Sequence, residues 1–91
     1  MKFFATIVHI APTTEVGASK FKIRKCWLRT NEQYPQTVEF QFQGERTSLL
    51  DDFAVNDAVE LEFNINGKQI TNKDNQPAVI NTLVAWRISK K

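Results

Sequence analysis

The sequence predicts a mainly β fold: a small barrel of five strands with one short helix between the third and fourth. Three observations carry this. Apolar residues recur at period two in five separate runs. The runs are parted by turn-forming residues. Only the segment after the third run changes to helical spacing. At 91 residues there is room for one domain, 1–91, and one core. A hydrophobic content of 42%, with seven Phe and two Trp, supplies that core without a metal or disulfide staple.

The first run, Phe3 to Ile10, ends at Ala11-Pro12, and a loop through Thr13 to Ser19 follows, with Gly17 as its hinge. The second run is Lys20 to Thr30. It stops at Asn31 to Pro35, because Asn31 favours a turn and Pro35 lacks the N–H that a ladder needs. The third run, Thr37 to Gln43, sets Val38, Phe40 and Phe42 on one face and Glu39, Gln41 and Gln43 on the other. Gly44 breaks it, and Leu49, Leu50 and Phe53 then fall at helical spacing. The fourth run turns Val59, Leu61, Phe63 and Ile65 inward. Asn66-Gly67 reads as a turn, and Lys68 to Pro77 as a loop or mobile hairpin tip. The last run, Ala78 to Ser89, is apolar enough for a strand buried on both sides over part of its length. Only Lys90-Lys91 is left as a tail. No internal repeat or low-complexity segment interrupts the chain.

Three strands, a helix and two strands is the order of the OB-fold, a five-stranded Greek-key barrel. An SH3-like barrel and a small sandwich place the helix less naturally. The stretches Thr30-Asn31-Glu32-Gln33-Tyr34-Pro35-Gln36, Phe40-Gln41-Phe42-Gln43-Gly44 and Ala85-Trp86-Arg87-Ile88 resemble a family of short bacterial proteins that is itself similar to single-stranded-DNA-binding proteins. The resemblance spans nearly the whole chain and implies an OB-fold and single-strand binding. Many members of that family have Trp where Phe21 stands and an aromatic where Cys26 stands, which implies that Cys26 is a core substitution. The ending Ser89-Lys90-Lys91 lacks the acidic partner-recruiting tail of bacterial single-strand-binding proteins, so a replication-hub role is not expected.

The formal net charge is only +2, but its distribution is uneven. Six Lys/Arg face the single acid Glu15 up to Thr30, eight acids face Arg46 from Asn31 to Glu62, and five bases face Asp74 thereafter. The second run is the most informative: Lys20, Lys22, Arg24, Lys25 and Arg29 are interleaved with Phe21 and Trp27. Cations neutralise phosphates and release counterions, and aromatic faces stack on bases, which is the pairing that single strands require. If Cys26 and Leu28 point inward, then Phe21, Ile23, Lys25, Trp27 and Arg29 point outward, onto the strand surface OB-folds use for ligands. Trp27 is the first candidate for stacking. The competing reading makes Trp27 and Phe21 core or dimer-interface residues and the cations solubilising charges. Tyr34 either stacks on a base or anchors its turn. Lys68 and Lys73 are expected in a loop flanking the groove, as phosphate contacts. Trp86 is read as mainly structural, its ring filling a barrel end, with Arg87 alternating outward as a further contact. The acids around the helix and fourth strand are expected to lie away from the basic strand.

Catalysis finds little to work with. His9 is the only histidine and sits inside an expected strand, as a partly buried or surface residue; Asp51 and Asp52 are helix neighbours that point apart. Gly17, Gly44 and Gly67 are isolated, so no glycine-rich phosphate loop exists. No enzyme, cofactor or metal site is expected. A single cysteine fits a reducing interior, and the cytoplasm is the expected compartment. The apolar N-terminus is too short to span a bilayer, has no clear cleavage pattern, and is wanted as a strand, so no membrane partner is expected. The expected partner is single-stranded DNA, with RNA as a variant. A protein-interaction module, including self-association into a homo-oligomer through exposed aromatics, is the alternative.

Overall fold

The structure, a computed structural model, describes residues 1–90; Lys91, the end of the expected tail, lies outside them. Six strands are formed: β1 (Lys2–Ile10), β2 (Thr14–Val16), β3 (Phe21–Arg29), β4 (Thr37–Gln43), β5 (Ala58–Thr71) and β6 (Pro77–Lys90), with a 3-10 helix over Gly44–Asp52. The sheet order is β1-β5-β6-β4-β3-β2, and β1 also pairs with β3, which closes the barrel. All pairings are antiparallel except β4 with β6, joined in parallel at Gln41 and Val84.

The inward phase of each strand builds the core. Ala5 and Ile7, Cys26 and Leu28, Phe40 and Phe42, Val59, Leu61 and Phe63, and Ala85 are all buried, and Leu50 of the helix plugs the barrel with them. Phe40 lies between Phe3 and Phe63, with ring centroids 5.2 and 5.0 Å away. These are favourable tilted and edge-on aromatic contacts.

Two β-bulges re-phase the strands. Ile7 pairs with Leu28 and His9 with Trp27, so Val8 is the extra residue and His9 turns outward while Ile10 returns to the core. In β6, Arg87 pairs with Glu62 and Ala85 with Phe63, leaving Trp86 unpaired. Trp86 is therefore 38% exposed and outside the core cluster, where the sequence suggested that it fills a barrel end.

Other expectations need correction. Thr14–Val16, expected as loop, is a sixth strand pairing with Phe21–Ile23 across a turn that uses positive φ at Gly17 and Lys20. The helix is 3-10, with the Thr47 and Ser48 hydroxyls donating back to the carbonyls of Gly44 and Glu45. Asn66-Gly67 is no turn. β5 and β6 continue as an arm beyond the barrel, and the chain reverses only over Asn72–Gln76, where the Asn72 carboxamide oxygen accepts from the N–H groups of Asp74 and Gln76. The outer part of β6 is consequently exposed, Val79 and Ile80 included, instead of buried on both sides.

Candidate nucleic-acid interface

Because Cys26 and Leu28 are buried, the alternate residues of β3, namely Phe21, Ile23, Lys25, Trp27 and Arg29, form one outward row. Register places Gln43, Gln41, Glu39 and Thr37 of β4 beside Ile23, Lys25, Trp27 and Arg29. From β2, Val16 and Thr14 stand beside Phe21 and Ile23. The face is thus apolar at the hairpin end, aromatic and charged in the middle, and cationic at Arg29.

Trp27 is the centre of this face. It is 42% exposed. The His9 ring lies 4.7 Å from it, centroid to centroid, at 42°, and its indole N–H donates to Glu39 Oε2 at 2.9 Å. Lys25 Nζ stands 3.9 Å from Glu39 Oε1. Beside these residues, between β4 and β6, runs a groove of about 570 Å³ lined by Lys25, Thr37, Glu39, Gln41, Asn81 and Thr82 among others.

The expected contacts divide. Phe21, Lys25, Trp27 and Arg29 share the face. Tyr34 stands at the β3–β4 connection, 75% exposed, on a bend held by Thr30 and Gln36. Lys20 occupies the β2–β3 turn. Lys68 is in β5 opposite Ile80, in register with the outward phase that runs Gln41, Val84, Thr82, Ile80; Lys73 sits in the turn at the arm's tip, so only Lys73 is in a loop as expected. Lys22 pairs with Glu15 on the opposite face of the hairpin. Arg87 lies on the outer surface of β1, β5 and β6, where it meets Glu62 at 3.4 Å next to the Lys2–Glu60 pair.

Arg24 also leaves the row. Its side chain turns toward the helix, donating to the Ala11 carbonyl at 2.8 Å, the Thr47 carbonyl at 3.2 Å and Asp51 at 2.6 Å. Asp51 therefore touches the basic strand, against the expected separation of the acids around the helix from it. Arg24→Ala is expected to lower unfolding stability by about 1.5–3 kcal/mol, because it strands two carbonyl acceptors. Urea unfolding checks the cost, and the salt dependence of any polyanion binding is expected to stay as it was.

His9, Glu39, Gln41 and Thr82 are the face residues that sequence reasoning missed, with Asn81 lining the groove from the opposite phase of β6. Glu39 and Gln41 were legible as outward, but not as neighbours of Trp27 and Lys25. The Val8 bulge hides His9, and Asn81 and Thr82 come in because β6 pairs with β4, a partner distant in sequence. Cys26 offers no nucleophile: burial pushes its thiol up to about 12, against a smaller opposing effect of the Arg24 charge, so it stays protonated at neutral pH. Among the described residues no group of three or more His, Cys, Asp or Glu side chains converges as for a metal, and no helix is long and apolar enough to cross a membrane.

Barrel closure, helix position and the open β3–β4 face define an OB-fold of the kind found in single-stranded-DNA-binding proteins. The mitochondrial single-stranded DNA binding protein Rim1 of S. cerevisiae superposes with a TM-score of 0.73 at 14% identity, over 99% of this chain and 91% of that one. The SSB domain of a Synechococcus protein gives 0.71 at 17% identity, over 97% and 90%. PriB of Ralstonia solanacearum gives 0.66 at 17%, over 100% and 96%. At these identities the likeness is one of fold. The chain itself belongs to the family described as domain of unknown function DUF3127, whose model matches residues 2–89. No curated protein matches the sequence.

Proposed function

We propose that this protein is a non-catalytic binder of single-stranded nucleic acid, DNA in the first instance, and that the strand lies across the β3–β4 face. The observation that carries this reading is the outward row of β3, in which Phe21, Lys25, Trp27 and Arg29 alternate aromatic and cationic groups on one surface. Lys25 and Arg29 meet phosphates, Trp27 stacks on a base, and Lys68 and Tyr34 extend the contact at the margins. The fold shared with the yeast mitochondrial single-stranded DNA binding protein Rim1 supports it. Most of this binding is sequence-tolerant, since every base has a π face. RNA would be held by the same contacts, as no residue is assigned to a 2′-hydroxyl.

Fluorescence anisotropy of labelled poly-dT and of a duplex, at low and moderate salt with Trp emission followed, tests the proposal. Tight, salt-sensitive binding of the single strand with Trp quenching is the expected result; no binding at low salt defeats it. The double change Lys25→Ala, Arg29→Ala is expected to flatten the slope of log K against log salt by about 1.4, at roughly 0.7 per single-strand phosphate contact.

A second reading rests on the apolar end of the face, where Val16 and Phe21 are exposed side by side next to Ile23. Such a patch suits a second copy of the chain or another protein. Light scattering with and without oligonucleotide separates the two: self-association with no strand binding favours this second reading.

A further inference from the structure

We infer that Glu39 makes the position on Trp27 a base-selective subsite, one that favours guanine, with its adjacent hydrogen-bond donors, over thymine. The inference rests on the single-strand reading above and adds a graded preference at one position of an otherwise tolerant face.

Its starting point is a misplaced charge. Among the outward residues of β3 and β4, Glu39 is the one acid, and it stands at the centre of a face proposed to hold phosphates. Fold stability gives no sufficient reason for it. The pair with Lys25 is 3.9 Å long between half-exposed side chains, and exposed pairs of this kind contribute little. A carboxylate here also repels a polyanion.

The geometry shows what the carboxylate can do instead. His9 covers one side of the indole, so an incoming base stacks on the other. The indole N–H fixes the carboxylate through Oε2, while Lys25 lies beyond hydrogen-bond distance of Oε1. A carboxylate has about four acceptor positions, so several remain open next to the stacking surface. The groove beside it carries the Lys25 ammonium, which suits a phosphate at the rim, and sets polar Gln41 and Thr82 beside apolar Val38 and Leu83.

An ionised carboxylate only accepts hydrogen bonds, so the base seated against it must offer donors. Guanine offers two in line, N1–H and the N2 amino group, and so a bidentate pair. Cytosine and adenine each offer one amino group. Thymine offers N3–H alone, flanked by two carbonyl oxygens that the carboxylate repels. The order expected at this position is guanine first, cytosine and adenine next, thymine last.

The test compares short oligo-dT with the same strand carrying one central dG, dI, dC or dA, titrated against the unaltered protein and Glu39→Gln. The dG strand is expected to bind roughly 5-fold or more tighter than all-dT, the scale of one good bidentate contact. Inosine, which lacks the N2 amino group, is expected to lose part of that gain. In Glu39→Gln the ranking is expected to collapse while affinity for all-dT rises, because the repulsion of phosphate is removed. Equal binding of all five strands by the unaltered protein overturns the inference and leaves the proposed function standing. A uniform gain in Glu39→Gln with the ranking intact overturns it too, reducing Glu39 to a charge. If no strand binds either protein, the proposed function itself fails and this inference with it.

Discussion

Trp27→Ala is expected to weaken single-strand binding by roughly 5- to 150-fold, the equivalent of losing one stacked base. The ring projects from the barrel wall, touching His9 and Glu39, so its removal leaves the core intact. Stability is expected to fall by only about 1 kcal/mol, the worth of an aromatic contact. Anisotropy titration reads the first effect and thermal unfolding the second. Trp27→Phe refines the result. It keeps a stacking ring but gives up the N–H that orients Glu39, and it leaves Trp86 as the remaining indole, so quenching on binding is expected to disappear while most affinity stays. Unchanged affinity in Trp27→Ala would place the ligand elsewhere.

Phe40→Ala is expected to cost about 3–5 kcal/mol, since it removes a buried ring and leaves a cavity. Phe40 occupies the middle of the Phe3, Phe40 and Phe63 cluster, directly beneath Glu39 and Gln41 of the face. Domains of this size typically hold roughly 5–15 kcal/mol in all, so the loss is a large share. The midpoint of urea unfolding reads it: a fall with an unchanged slope is expected, and a shift equal to that of a surface substitution would contradict the packing described.

The inward and outward faces of the strands were largely legible in the sequence, because burial on one side enforces period two. Val38, Phe40 and Phe42 face in and Glu39, Gln41 and Gln43 face out for that reason alone. Legibility failed where a distant partner overrode a local preference. Asn66-Gly67 has the composition of a turn, yet Thr82 and Asn81 stand opposite and continue the ladder. Three polar-leaning residues, Thr14 to Val16, carry too little pattern to announce a strand, and only their pairing with β3 makes one. The candidate face was half legible. Lys25, Trp27 and Arg29 follow from alternation, whereas Arg24 was read with the other cations although the same alternation turns it inward, where carbonyls and Asp51 receive it. Arg87 failed differently, since the Glu62 that pairs with it is distant in sequence.

The Val8 bulge has a consequence for comparing relatives. On either side of it β1 is read in opposite phase, so Ile7 and Ile10 are both core positions although three residues separate them. A relative of the same length that lacked the bulge would differ in more than pairing: strict alternation would return, and the residue aligned with His9 would belong to the other surface. Positional equivalence along β1 therefore breaks at Val8. Substitutions on its two sides must be scored against separate frames before the occupant of the position beside Trp27 is compared between homologues.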